Sequence, residues 1–338
     1  MEQGGMQSVV GRLRCPRTGA ALLLEEGRLV TTDGVHAYPI VAGIPDLRLF
    51  DPPYVSRAEE ARRVERLADA AGRLDYAGLV EFYETEVLSD QTPERRRRHI
   101  EHRLSLRTRA KRRLHTMLDT GKLSPPRCRP DELVLDLGCG SGEALGELGR
   151  LTGAGIIGVD ISLEELLLGR KLLEEEGASA SLVAACAEAL PFEAGIFAFV
   201  YSPDVIEHVA SHDDYLREIH RVLAPGGKTL LNSPNRFSIV TAEPHVGIWG
   251  LGFLPRPLMD PVCRLAGKGP YVGKKLLSLG ELRRSLRRVF RTYSIFGRES
   301  NPNATGLAGR LYHGLSPFSV ALFDRVCDQH VGVAVKEL

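Results

Sequence analysis

A carboxylate followed at once by three spaced glycines is the most chemically pointed stretch of this chain: Asp136-Leu137-Gly138-Cys139-Gly140-Ser141-Gly142. Glycine reaches backbone angles closed to other residues and lets a ligand approach the main chain. The apolar run Glu132 to Leu137 before the loop reads as a strand and Glu143 to Leu151 after it as a helix, which places the loop at the turn of a βαβ unit. A second apolar strand, Gly155 to Val159, ends in Asp160, about 20 residues beyond the glycines, where an acid in this topology reaches a ribose diol. Both halves of a nucleoside site are therefore present.

Charge decides which nucleoside. A dinucleotide would set its pyrophosphate on the glycine turn, but Asp136 stands just before that turn and Glu143 just after it. Carboxylates there repel a pyrophosphate and favour a phosphate-free cation, a description that the ammonium and sulfonium of S-adenosylmethionine meet. Methyl transfer is expected in preference to hydride transfer. Displacement at a sulfonium already has a good leaving group, so the protein must align the reactants, exclude water and, for a hydroxyl acceptor, supply a base. His208 and His245 are the candidate catalytic bases, each able to titrate near neutrality beside an acceptor.

The loop resembles motif I of the class I S-adenosylmethionine-dependent methyltransferases, the type found in ubiquinone and menaquinone pathways. Further words agree in order: Ala187-Glu188-Ala189-Leu190-Pro191-Phe192 after the third strand, Val205-Ile206-Glu207-His208-Val209 in the helix after the fourth, Ile219 to Gly227 before the fifth, and Ser233-Pro234-Asn235 at its end. Together they span about Asp131 to Arg236. The resemblance implies that Gly138 and Gly140 contact the methionyl part, Asp160 the ribose hydroxyls, and Cys186 to Ala187 the adenine edge. Asp136, Cys139, Gly142, Ile161 and Ser202 complete the expected cofactor-binding set. The family often has an acid where Cys186 stands and an Asp where Ala198 stands, which bears on adenine affinity. Asp204, Glu207 and His208 would share one face of a helix, and similar words in quinone O-methyltransferases accompany a divalent cation. Asp204 is taken instead as a helix cap, and no metal is expected.

The resemblance also implies the elements that must position these groups. The expected fold is α/β: a doubly wound, seven-stranded Rossmann-like methyltransferase sheet over residues 131–338, with a lid insertion at about 236–279 around Trp249. Leu279 to Val289 and Ser316 to Cys327 read as helices, and Tyr293 to Gly297 and His330 to Lys336 as the last strands. Residues 1–50 read as a small β-rich module. Its words Cys15-Pro16-Arg17-Thr18-Gly19 and Tyr38 to Leu47 resemble Trm112-like domains, with Thr18 where zinc-binding members carry their second cysteine; Cys15 and His36 are too few for tetrahedral zinc. Residues 51–130 read as a helical linker region, with Ile100, Leu104, Leu114 and Leu118 on one face and Arg95 to Arg113 forming a basic stripe.

Across 338 residues, 43% hydrophobic and 26% charged with a net charge of +1, nothing steers the chain toward polyanions. The six cysteines include no CxxC pair, and no apolar run approaches the roughly 18 residues of a membrane span. A cytoplasmic setting is expected, with a small-molecule, lipid-like or glycan-linked acceptor favoured over RNA. Neither the acceptor nor the oligomeric state follows from the sequence.

Overall fold

The computed structural model describes residues 9–88, 92–124, 126–298 and 324–338. Four short strands, β1 (Leu22–Glu25), β2 (Arg28–Thr31), β3 (Ala37–Val41) and β4 (Ile44–Pro45), form an antiparallel sheet in sequence order. Helices α1 (Arg57–Ala71), α2 (Tyr76–Phe82) and α3 (Pro93–Thr120) follow, with a π-helical turn at Tyr83–Val87. Ser56, Asp75 and Thr92 cap them, each side-chain oxygen accepting an otherwise orphaned amide.

The remaining strands are β5 (Leu133–Leu137), β6 (Gly155–Asp160), β7 (Ser181–Ala184), β8 (Phe197–Pro203), β9 (Leu223–Pro234), β10 (Thr292–Arg298) and β11 (Gln329–Val335). They form one seven-stranded sheet in the order β10-β11-β9-β8-β5-β6-β7, with only β11 running against its neighbours. This is the doubly wound sheet expected from the sequence. Helices α4 (Leu145–Thr152), α5 (Leu163–Glu176), α6 (His212–Val222), α7 (Arg256–Leu265) and α8 (Leu279–Val289) complete the described elements. Of the helix expected over Ser316 to Cys327, residues 316–323 lie outside the described residues.

Alternate residues of β5 serve opposite faces, as the strand period requires. Val134 joins a core built with α1 to α5, whereas Leu135 and Leu137 join one built with α6, α8, Leu29 of the small amino-terminal sheet, and Leu13 and Leu47 on either side of that sheet in the chain. Helices α1 to α3 thus form a packed helical layer on the sheet. Along α3 only Leu114, Met117 and Leu118 are buried; Ile100 is partly buried against the same core, and Leu104, expected on the apolar face, is exposed.

Strand order reverses around β5, whose neighbours are β6 and β8. A crevice opens at the carboxyl ends of strands at such a switch point, and the glycine loop and Asp160 both lie there.

Candidate active site

Asp160 is the organiser of the nucleoside half. One carboxylate oxygen accepts the Gly140 amide and the other the Ser162 amide, both at 2.9 Å. The amides of Gly138 and Cys139 donate to the Val159 carbonyl at 2.7 and 3.0 Å, which ties the loop to the end of β6. Gly138 has φ +76°, and a Cβ there would sit 2.2 Å from Val205 Cγ2. Replacing Gly138 by Ala is expected to lower cofactor affinity at least tenfold, by strain and collision with a stiff β-branched side chain. Gly140→Ala, where no atom lies within 4 Å of the new methyl, should cost less; equal losses in parallel titrations would refute this account.

Burial raises three carboxyl groups around the loop: Asp136 to about 8, Glu143 to about 7 and Asp160 to about 6. Asp136 and Glu143 each keep a buried oxygen without a hydrogen-bond partner. Glu165 behaves oppositely. Burial would raise it, but the Arg103 guanidinium and the Ser141 hydroxyl outweigh that and hold it below the usual value.

The other expected cofactor residues divide. Gly142 has φ +73° and its amide closes the loop onto the Cys139 carbonyl at 2.9 Å, while the Cys139 side chain is buried under the loop against Gly158. Ile161 gives its carbonyl to Arg48 Nη1 at 2.8 Å. Cys186 is buried with its thiol toward the Phe50 carbonyl, and Ala187 beside it is half-buried. Ser202 corrects the expectation: its side chain is fully buried, donating to the Leu137 carbonyl at 2.9 Å and accepting from Tyr215 at 2.7 Å, so the hydroxyl ties β5 to α6 and does not face the cleft.

The second correction concerns the segment after β8. Val205 to Val209 is a turn, and helix α6 begins only at His212. Asp204 adopts φ +53°, a left-handed conformation that Asp tolerates. Its carboxylate pairs with Arg113 and accepts from Asn232 Nδ2 at 2.7 Å. Asp204 is therefore no helix cap; its carboxylate is engaged by Arg113 and Asn232, and it is not among the ligand atoms that cluster with Glu207 and His208.

His208 meets His245 instead. Their Nε2 atoms are 3.3 Å apart and the rings meet edge to face. Glu243 Oε1 accepts from His245 Nδ1 at 2.6 Å, and Tyr271 donates to the same oxygen at 3.0 Å. Glu243 also forms part of the lining of a cavity of about 190 Å³ at the carboxyl end of β9, with Asn235, Arg236, Ser238, Thr241 and Asp328. The insertion that supplies Glu243, His245 and Tyr271 packs Leu251, Met259 and Cys263 into a small core of its own and leaves Trp249 exposed.

Sequence reasoning missed a second group of site-supporting residues. Arg48, Glu60, Glu84 and Arg103 lie outside the glycine-loop words, yet Arg48 reaches Ile161 and Arg103 reaches Glu165. The only advance sign was Arg103 in the basic stripe. Part of that stripe is engaged within the chain: Arg97 with Glu101, Arg103 with Glu84 and Glu165, Arg107 and Lys111 with Glu176, and Arg113 with Asp204.

Residues 135–231 match the family model described as a methyltransferase domain. A ubiquinone biosynthesis O-methyltransferase of Roseobacter denitrificans is 35% identical over 122 residues, covering 34% of this chain and 48% of that protein. The ubiquinone/menaquinone biosynthesis C-methyltransferase UbiE of Pectobacterium carotovorum is 30% identical over 152 residues, covering 44% and 60%. The chain thus spans about half the length of these relatives. Among solved structures, phosphoethanolamine N-methyltransferase 2 of Haemonchus contortus, in complex with S-adenosylmethionine, superposes with a TM-score of 0.46 at 20% identity over 66% of this chain and 53% of that one. The glycine loop from Gly138 to Gly142 and Asp160 both lie within the stretch that matches the methyltransferase-domain model. Among the described residues, no helix is long and apolar enough to cross a membrane.

Proposed function

We propose that the protein transfers a methyl group from S-adenosylmethionine to an oxygen or nitrogen of a small organic or lipid-like acceptor. One observation carries the cofactor half of this reading. Asp136, Glu143 and Asp160 are buried carboxyl groups beside a glycine loop whose Gly140 amide is held by Asp160, an arrangement that suits a cationic nucleoside and repels a pyrophosphate. Ribose hydroxyls pair with Asp160, the methionyl group lies over Gly138 and Gly140, and the adenine edge faces Ala187 and Cys186.

The acceptor lies toward the insertion. His245, oriented through Nδ1 by Glu243, presents Nε2 as the base for a hydroxyl acceptor, with His208 beside it. A small acceptor is favoured over RNA because five cations of α3, Arg97, Arg103, Arg107, Lys111 and Arg113, are paired with carboxylates of the same chain. The amino-terminal sheet, read as a Trm112-like remnant, serves structure: Cys15 Sγ lies 3.1 Å from the Tyr38 hydroxyl in a buried contact.

Calorimetric titration with S-adenosylmethionine tests the reading. A bound sulfonium favours the charged form of each carboxyl group, so binding releases protons, and affinity rises with pH between about 6 and 8, the window set by Asp160, Glu143 and Asp136. In the unliganded protein burial favours the neutral forms, so these groups stabilise the fold below the ordinary carboxyl range of about 4, and that contribution is lost as pH rises from there through the folded values of about 6 to 8. Titrations in buffers of different ionisation enthalpy count the protons. Proton uptake, or no binding by the intact chain, would overturn the reading.

A further inference from the structure

We infer that Glu207, His208 and His245 form a zinc-type divalent cation site at the acceptor end of the cleft. Ligand atoms of these three side chains lie within 4.8 Å of one another. The resemblance to quinone O-methyltransferases pointed to a different set, Asp204, Glu207 and His208. Asp204 is engaged by Arg113 and Asn232, and His245 enters from the insertion, beyond the residues 135–231 that match the family model.

Three independent features support the site. The first is spacing. A tetrahedral ion with Zn–N bonds of about 2.0–2.1 Å separates two ligand nitrogens by about 3.3–3.4 Å, and the two imidazole Nε2 atoms stand 3.3 Å apart. Octahedral geometry at the same bond length would bring neighbouring ligands to about 2.9 Å. The second is Glu207, whose side chain is 1% exposed and whose two carboxylate oxygens have no hydrogen-bond partner. A buried carboxyl group with nothing to bond costs free energy that a coordinated cation removes.

The third is the support behind His245. Its Nδ1 must donate to Glu243, which leaves Nε2 as the ligating atom. Glu243 is itself immobilised by the amides of His245 and Val246 at 2.8 and 2.7 Å and by the Tyr271 hydroxyl. A carboxylate that orients an imidazole is the usual outer partner of a histidine metal ligand. On the side facing Glu207, the Lys275 amide fixes the Glu207 carbonyl at 2.7 Å.

Two nitrogens and one oxygen leave the fourth tetrahedral position open, the arrangement of catalytic rather than structural zinc. His208 is exposed, so that position is reachable from solvent. On the methyl-transfer reading above, the acceptor oxygen takes it. The cation would then lower the pKa of a coordinated hydroxyl, replacing the base role given above to His245. Cation binding itself requires no methyl transfer.

The test is metal titration of the full chain after chelation. Zn2+ is expected to bind one per chain, and Co2+ in its place to give the intense visible absorption of a four-coordinate ion. His245→Ala should abolish stoichiometric binding, and Glu243→Gln should weaken it about 10- to 100-fold, while titration of both variants with S-adenosylmethionine shows the cofactor site intact. An intact chain that binds no Zn2+ at micromolar concentration, or His208→Ala and His245→Ala variants that bind it as the parent does, would overturn the site. Because the cofactor titration uses the same samples, a failure of the metal site is distinguishable from a failure of the methyltransferase reading.

Discussion

Replacing Asp160 by alanine is expected to weaken binding of S-adenosylmethionine about 10- to 100-fold, which calorimetry on parent and variant measures directly. Hydrogen bonds to a charged group contribute roughly 1.5–3 kcal/mol each, and every 1.4 kcal/mol is about tenfold in affinity. The side chain has two tasks. It faces the ribose diol in the proposed complex, and it holds the Gly140 and Ser162 amides in the empty protein. Asp160→Asn separates them, since an amide oxygen can still accept one of these amides without carrying charge. It should keep most of the loop's order and lose affinity mainly through the ribose. The charged carboxylate of Asp160, raised by burial to about 6, is the form that binds, so the difference between parent and Asp160→Asn should shrink as pH falls through that value. Parent-like affinity in Asp160→Ala would remove Asp160 from the site and with it the argument that the crevice at β5 takes a nucleoside.

The cofactor half of the site was legible because its residues are contiguous. A strand buried on both faces leaves an apolar run such as Leu133 to Leu137; the loop and Asp160 follow within one βαβ unit, and spacing alone brings them together. The acceptor half was not legible in the same way. His208 and His245 were both singled out, but their pairing across 37 positions depends on how the insertion folds back, and periodicity carries no information about that. Glu243 stands two residues before His245 and could have been noticed as its orienting acid. Asp204 misled because helical spacing was assumed for a segment that is a turn; Pro203 before it and the tolerance of Asp for left-handed angles were the available signals. The amino-terminal β-rich module was readable as strands. Its role in supporting the cofactor site was not, since Arg48 meets Ile161 across 113 positions.

That long-range contact is where the largest loss of stability is expected. Arg48 is 4% exposed, and its guanidinium donates through Nε and Nη2 to both oxygens of Asp46, through Nη1 to Glu60 at 2.6 Å, and through Nη1 again to the Ile161 carbonyl at 2.8 Å. Asp46 and Glu60 are themselves 5% and 1% exposed. Arg48→Ala strands two buried carboxylates and one carbonyl, and breaking a buried pair from one side costs about 3–5 kcal/mol. Denaturant unfolding should therefore show a markedly lower midpoint. Arg48→Lys keeps the charge without the planar fork that spans both carboxylates, and an intermediate loss is expected. The effect should reach the cofactor as well. Glu60 accepts the Leu163 amide at 3.1 Å, in the first turn of α5, and Ile161 adjoins Asp160, so loosening Arg48 loosens the segment that fixes the ribose-binding carboxylate. A variant that unfolds like the parent would show that water replaces the guanidinium at no cost, and that the amino-terminal segment is only laid against the methyltransferase domain rather than built into it.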